Sequence, residues 1–326
     1  MNKFSHFSTK NLQDTMNRIK VIFITGSSRS GTTLLDRILG QVPGFFSLGE
    51  VFYIWERGIL QNQLCGCGKP FRDCEFWSQV IDEFSAYHST DFLDILQLQR
   101  EVTRIRNIPY FIFPSLRPKS FQLKLHKYTV MLATLYRTIA NVSNASILID
   151  SSKFAPHGFV LKQIPYLDLF VIHIMRDSRG VVYSLQRKKV RPEIYWRTEY
   201  MPRAETWLKG TRVWLIDNFL AHILRITTKN SRLLRYEKFV QNPRSVIEDL
   251  INWIGLPNPS ILNPFHRERL IKLRVNHTVS GNPVRFVTGP VEIKEDVEWI
   301  TKMSWFKKVM IGVLTKPLGN HITWSK

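Results

Sequence analysis

Residues 21–40, VIFITGSSRSGTTLLDRILG, constrain the fold more than any other stretch of this chain. A short apolar, β-branched run leads into a loop of glycine and serine, and then into residues at helical spacing. That order dictates a buried strand, a tight loop and a helix whose first amides point at an anion. Gly26 and Gly31 have the spacing of the two glycines in G-x-x-x-x-G-K-[ST], but Thr32 stands where a triphosphate loop carries its lysine. The nearest cation, Arg29, lies inside the loop. With the amides and hydroxyls of Ser30, Gly31, Thr32 and Thr33, it forms a candidate anion nest.

Three further segments read as buried parallel strands: Ile147–Asp150, Leu169–Met175 and Arg232–Tyr236. Each precedes a turn and a helical pattern (Pro156–Ile164, Arg179–Lys188 and Pro243–Ile254), as Val21–Thr25 precedes Thr32–Leu39. Repeated β-loop-α units predict an α/β fold with a doubly wound, mainly parallel sheet. Ligands bind beyond the carboxyl ends of such strands. We expect one domain over 1–326, with a core about 20–286, a helical insertion about 56–145 and an irregular C-terminal extension about 287–326. Phe121, Leu125, Tyr128, Leu132, Leu135 and Ile139 form a core-facing stripe on one insertion helix. A second long helix, about 203–229, is expected to brace the sheet.

The post-strand segments supply the candidate site. In GFFSLGEVFYIW, Glu50 follows an apolar run and is expected near the first loop, either as a general base or in a salt bridge to Arg29 or another cation. In LIDSSKFAPHG, Lys153 faces the same crevice and His157 is a second candidate base. Arg176 ends the third strand, and Ser184 follows on the helix, where the loop lets both meet one anion. The basic run Arg187, Lys188, Lys189 and Arg191 reads as a solvated face, the alternative being a surface that meets an acidic acceptor. Tyr236, after the fourth strand, is placed to stack on a purine. His277, Ser280, Gly281, Asn282 and Arg285 form a donor-rich loop suited to a second phosphate, or an ordinary Gly-Asn-Pro turn.

Composition bounds the rest. Lys plus Arg number 46 against 26 Asp plus Glu, a formal net charge of +20 that favours an anionic partner. No run of 18 apolar residues occurs, and the polar first twenty residues lack a signal-peptide core, so a cytoplasmic location is expected. The Trp-, Phe- and Lys-bearing tail has the make-up of a membrane-surface segment, although packing on the domain is the ordinary outcome. The three cysteines, Cys65, Cys67 and Cys74, fall in CGCGKPFRDC. A zinc set needs a fourth ligand, and no histidine lies close in sequence (His88 is the nearest downstream). We read a reduced structural hairpin and no metal, the alternative being a regulatory disulfide or metal.

Taken together, these motifs resemble the sulfotransferases that use 3′-phosphoadenosine 5′-phosphosulfate (PAPS). Arg29-Ser30-Gly31-Thr32-Thr33 is similar to the family's 5′-phosphosulfate loop, and Arg176-Asp177-Ser178-Arg179 through Ser184 to its 3′-phosphate motif. Tyr236-Glu237, Asn242-Pro243 and Gly255-Leu256-Pro257 follow in the family's order. Arg in the loop, with Gly49-Glu50 about twenty residues later, resembles the tyrosylprotein and bacterial-type branch. That resemblance implies sulfuryl transfer from PAPS to a hydroxyl, the alternative being an amine, of a small molecule, glycan or lipid, with Glu50 as base and no metal. Arg29 and Lys153 would stabilise the transferring group, and 3′,5′-adenosine bisphosphate would be the product. Thr33, Ser184 and the 280–285 loop would help to hold the two phosphates. The rival readings are a P-loop kinase or NTPase, with Asp150 recruited for Mg²⁺, and a non-catalytic polyanion binder. The latter fits less well, because the aromatics do not interleave with basic residues as nucleic-acid binding requires.

Overall fold

A computed structural model describes residues 18–258, 260 and 263–324. The reading of the N-terminal segment falls largely outside them. Five parallel strands form the central sheet: β1 (Ile19–Thr25), β2 (Phe45–Gly49), β3 (Ile147–Lys153), β4 (Leu167–Met175) and β5 (Ser231–Arg235), in the order β2-β3-β1-β4-β5. The helices that matter here are α1 (Thr32–Leu39), α2 (Glu75–Tyr87), α3 (Phe92–Val102), α4 (Ile108–Ile112), α5 (Lys119–Ser143) and α6 (Ala155–Leu161). They continue with α7 (Ser178–Gln186), α8 (Trp207–Ile226), α9 (Tyr236–Gln241), α10 (Pro243–Trp253), α11 (Glu298–Lys302) and α12 (Trp305–Trp324). A small antiparallel pair, β6 (Leu270–Leu273) with β7 (Gly289–Glu292), stands apart.

Both sheet faces are covered, which explains the continuous apolar runs. Side chains alternate along β1: Val21 and Phe23 join the core under the insertion helices, while Ile22 and Ile24 join the core under α1, α9 and α10. On β4, Leu169 and Val171 face the first core, and Phe170, Ile172 and Ile174 the second. The stripe on α5 packs as its spacing dictates, with Leu125, Tyr128, Leu132, Leu135 and Ile139 all buried.

Two elements depart from the sequence reading. The Phe45–Gly49 run is an edge strand paired with β3, too short and too mixed to be recognised as one. The tail, expected to wrap irregularly, forms the 20-residue helix α12 despite Pro317 within it. Its Ile311 and Thr315 are buried against α7 and α8, so tertiary packing outweighs the local break.

Asp36 on α1 is fully buried and accepts hydrogen bonds from Ser47 of β2 (2.7 Å) and Ser151 of β3 (2.9 Å). Burial pushes its carboxyl up to about 7, with the two hydroxyls offsetting part of the effect. The folded chain therefore holds this proton more tightly than the unfolded chain, and the associated stability is lost as pH rises towards the folded value. Relative to Asp36→Asn, the stability of the native protein should fall by roughly 4 kcal/mol between about pH 4 and pH 8. Urea unfolding across that range measures it; a difference that stays flat would contradict the assignment.

Candidate active site

The carboxyl ends of β1, β3, β4 and β5 open on one cavity of about 620 Å³, a volume suited to a nucleotide-sized ligand. Arg29, Gly31, Thr32 and Thr33 form its floor. Arg29 takes a left-handed conformation (φ 70°), which turns its side chain out of the strand direction. Gly31 (φ 87°) is required twice over, since a Cβ there would also lie 2.7 Å from the Tyr236 ring. The Nη1 of Arg29 and the Oγ of Ser30 are buried with no hydrogen-bond partner among the described residues. Buried donors are rarely left so, and an anion would satisfy them. From below, Asp217 of α8 accepts from Ser27 at 3.1 Å and steadies the loop.

Lys153 also has a positive φ, 66°, at the end of β3, where a register shift against β1 leaves its carbonyl to accept from Thr25 Oγ1 at 2.7 Å. This turn aims the ammonium at Glu50, with which it forms an ion pair. Both residues line the cavity. Of the alternatives open for Glu50 in the sequence, the salt bridge is present, and its partner is Lys153. Glu50 also sits immediately before an irregular helical stretch, a 3₁₀ turn and then a π-helical segment over Ile54–Leu60. That stretch brings Tyr53 and Arg57 to the cavity, with the guanidinium 3.6 Å from the ring centroid.

Arg176 forms the opposite wall. It donates to the carbonyl of Arg29 at 3.0 Å, lies 4.6 Å over the Tyr236 ring, and contacts Asp296 at 3.1 Å through both the carbonyl and the carboxylate. Ser184, two turns along α7, lines the same cavity, as do Tyr236, Gly281 and Asn282. The amide of Asn282 donates to Thr33 Oγ1 at 3.3 Å, which ties the 280–285 loop to the first one.

Three expected contributors lie elsewhere. Arg285 is fully buried and points away from the cavity, donating to the carbonyls of Thr278 and Leu64. Ser280 is buried too, its hydroxyl accepting from Arg57 at 2.9 Å. His157 has no access, being packed against Phe23 and Phe52 with Nε2 3.2 Å from Asp150. Asp150 is equally closed off, taken up by Tyr136, Ser152 and His157. It has no free oxygen directed at a metal in the cavity.

The cavity also draws in residues that the sequence reading left out. Lys189 and Arg191, read as a solvated face, line it together with Arg203 and Lys209. Arg191 is already committed to Glu193, Glu199 and Gln63. Burial lowers the Lys189 ammonium from its ordinary value, and the nearby charges of Arg29 and Arg187 lower it further. Eight lining side chains are Lys or Arg and only Glu50 and Asp296 are acidic. A low-dielectric cavity so charged concentrates anions.

Residues 21–260 match the Sulfotransferase family, well over half of the chain, and the protein belongs to that family. Among solved structures it is similar to the sulfotransferase domain of the Synechococcus PCC 7002 olefin synthase, at 18% identity over 93% of this chain and 96% of that one, with a TM-score of 0.49. The sulfotransferase domain from the curacin biosynthetic pathway is 16% identical over 92% and 99%, at 0.47. Sulfotransferase STF1 from Mycobacterium tuberculosis H37Rv is 14% identical over 79% and 73%, at 0.39. No curated protein is similar enough to add to these.

The position of Arg285 yields a direct test. Arg285→Ala leaves buried carbonyls unpaired and should lower the unfolding free energy by about 2–4 kcal/mol, read by urea denaturation. Unchanged stability with lost anion binding would return Arg285 to the ligand.

Proposed function

We propose that the cavity binds PAPS and transfers its sulfuryl group to a hydroxyl of an acceptor. The observation that carries this reading is the meeting of two anion-holding arms in one cavity, the 28–33 loop and the Arg176–Ser184 pair, with Tyr236 against Arg176. A ligand with separate 5′ and 3′ phosphates uses both arms, whereas a linear triphosphate leaves the second unexplained. The orphaned donors Arg29 Nη1 and Ser30 Oγ support the 5′ end. Asp296, resting on Arg176, occupies the position expected of a phosphate and would yield to the 3′ group.

In this mechanism Glu50 accepts the proton of the acceptor hydroxyl as its oxygen bonds to sulfur. The bond from sulfur to the bridging oxygen breaks in line, and the electron pair leaves with the 5′-phosphate of 3′,5′-adenosine bisphosphate. Lys153 pairs with the Glu50 carboxylate and, with Arg29, neutralises charge growing on the transferring group. Fixed cations suffice for a leaving group of one phosphate, which accounts for Thr32 in place of a β/γ-phosphate lysine.

The acceptor, we propose, is a small molecule, glycan or lipid that enters past Tyr53, Arg57 and Lys189. Trp305, Phe306 and Val313 stand exposed on α12 near Lys307 and Lys308. This face supports peripheral membrane contact as part of the same proposal. No helix among the described residues is long and apolar enough to cross a membrane.

Calorimetric titration should give tight binding of 3′,5′-adenosine bisphosphate without Mg²⁺ and much weaker binding of ADP; equal affinities, or strict dependence on Mg²⁺, would overturn the reading. Glu50→Gln should lower turnover about 10²–10⁴-fold while leaving bisphosphate affinity within a few-fold. Retained turnover would remove Glu50 from the base role. Asp296→Asn, by freeing Arg176, should tighten the bisphosphate by up to about fivefold.

A further inference from the structure

A second cluster lies outside the cavity and is used by nothing above. Cys65, Cys67 and Cys74 converge with His277, which arrives from about two hundred positions further along the chain, and the four ligand atoms lie within 4.8 Å of one another. The absence of a close histidine in the sequence argued against a metal set, and the fold supplies the missing residue. His277 Nδ1 is 3.2 Å from Cys74 Sγ and 3.9 Å from Cys65 Sγ. We propose that these four residues bind one zinc ion in a closed Cys₃His site.

The geometry is close to what zinc requires. A tetrahedron with bonds of about 2.3 Å has edges of about 3.8 Å, so shifts of a few tenths of an ångström per ligand would close the cluster on an ion. The surroundings suit a closed site: Cys65 and Cys74 are buried, and Cys74 directly precedes α2, whose first turn carries Trp77. The hairpin carrying Cys65 and Cys67 is closed by the Cys65 amide on the Lys69 carbonyl at 2.8 Å and the Gly68 amide on the Cys65 carbonyl at 2.9 Å. Gly66 is required within it, since a Cβ there would meet Asn276 Oδ1 at 2.1 Å.

His277 is held in place by its neighbours. Its ring stacks parallel to Phe46 and tilts against Phe76, and its carbonyl accepts from Trp77 Nε1 at 2.6 Å. A disulfide between any two of the cysteines would leave the third sulfur and the imidazole facing each other without purpose. Hard cations prefer oxygen ligands, and three sulfurs with one imidazole select zinc among the abundant divalent ions. Full coordination by protein leaves no open position, so the site is structural. It would join the start of the helical insertion to the 277–282 segment, which delivers Gly281 and Asn282 to the cavity.

Elemental analysis of the full-length protein, purified without chelator and dialysed, tests this. The expected result is roughly one zinc per chain, released by a thiol-specific mercurial together with three titratable sulfhydryls. Cobalt exchanged into the site should give the intense visible bands of tetrahedral thiolate coordination. His277→Cys should retain the metal, and His277→Ala should lose it. Since the alanine variant can fail for lack of folding, the wild-type metal content and cobalt spectrum decide independently. Metal-free, folded protein with three freely reactive thiols or a disulfide would overturn the proposal. So would stoichiometric iron or copper, or an octahedral cobalt spectrum.

Discussion

The site is organised around Arg176. Its guanidinium bonds the Arg29 carbonyl after β1, lies on Tyr236 after β5 and holds Asp296 of the C-terminal extension, while its own carbonyl accepts from Trp214 of α8 at 3.0 Å. A single buried cation thus joins four segments far apart in sequence. Burying it costs several kcal/mol unless partners surround it, and the carbonyls, ring and carboxylate provide that surround. The arrangement makes Arg176 a brace, and it leaves one carboxylate partner, Asp296, that a phosphate would replace under the proposed function.

Two left-handed residues complete the arrangement. Arg29 and Lys153 both adopt positive φ, a conformation that costs a non-glycine residue of order 1 kcal/mol or more. Arg29 lies in the loop after β1, and Lys153 is the last residue of β3. Arg29 is thereby presented to the cavity, and Lys153 to Glu50. The strain coincides with the charges that the proposed chemistry uses.

Much of this was legible in the residues. Four of the five strands announce themselves because burial on both faces demands unbroken apolar runs, and strand ends in a parallel sheet mark where ligands go. Arg29, Lys153, Arg176 and Tyr236 could be placed on that basis, and Glu50 by the apolar run and glycine before it. What could not be read is direction and long-range convergence. Arg285 sits in a donor-rich loop, yet it turns inward to the carbonyls of Leu64 and Thr278, and nothing local distinguishes the two orientations. Lys189 looks like one charge in a solvated run until the segment folds over the cavity. The helix α12 was hidden by its proline and mixed polarity. His277 meets three cysteines only because the 274–287 segment is drawn in, with Arg37 donating to the carbonyls of Arg274, Val284 and Val287.

Under the proposed function one cavity holds two phosphates of one nucleoside. A crystal structure of the protein with 3′,5′-adenosine bisphosphate tests it most directly. The 5′-phosphate should lie on the amides and hydroxyls of the 28–33 loop, and the 3′-phosphate on Arg176 and Ser184 with the Asp296 carboxylate displaced. A 3′-phosphate in solvent, with Asp296 still bound to Arg176, would contradict it.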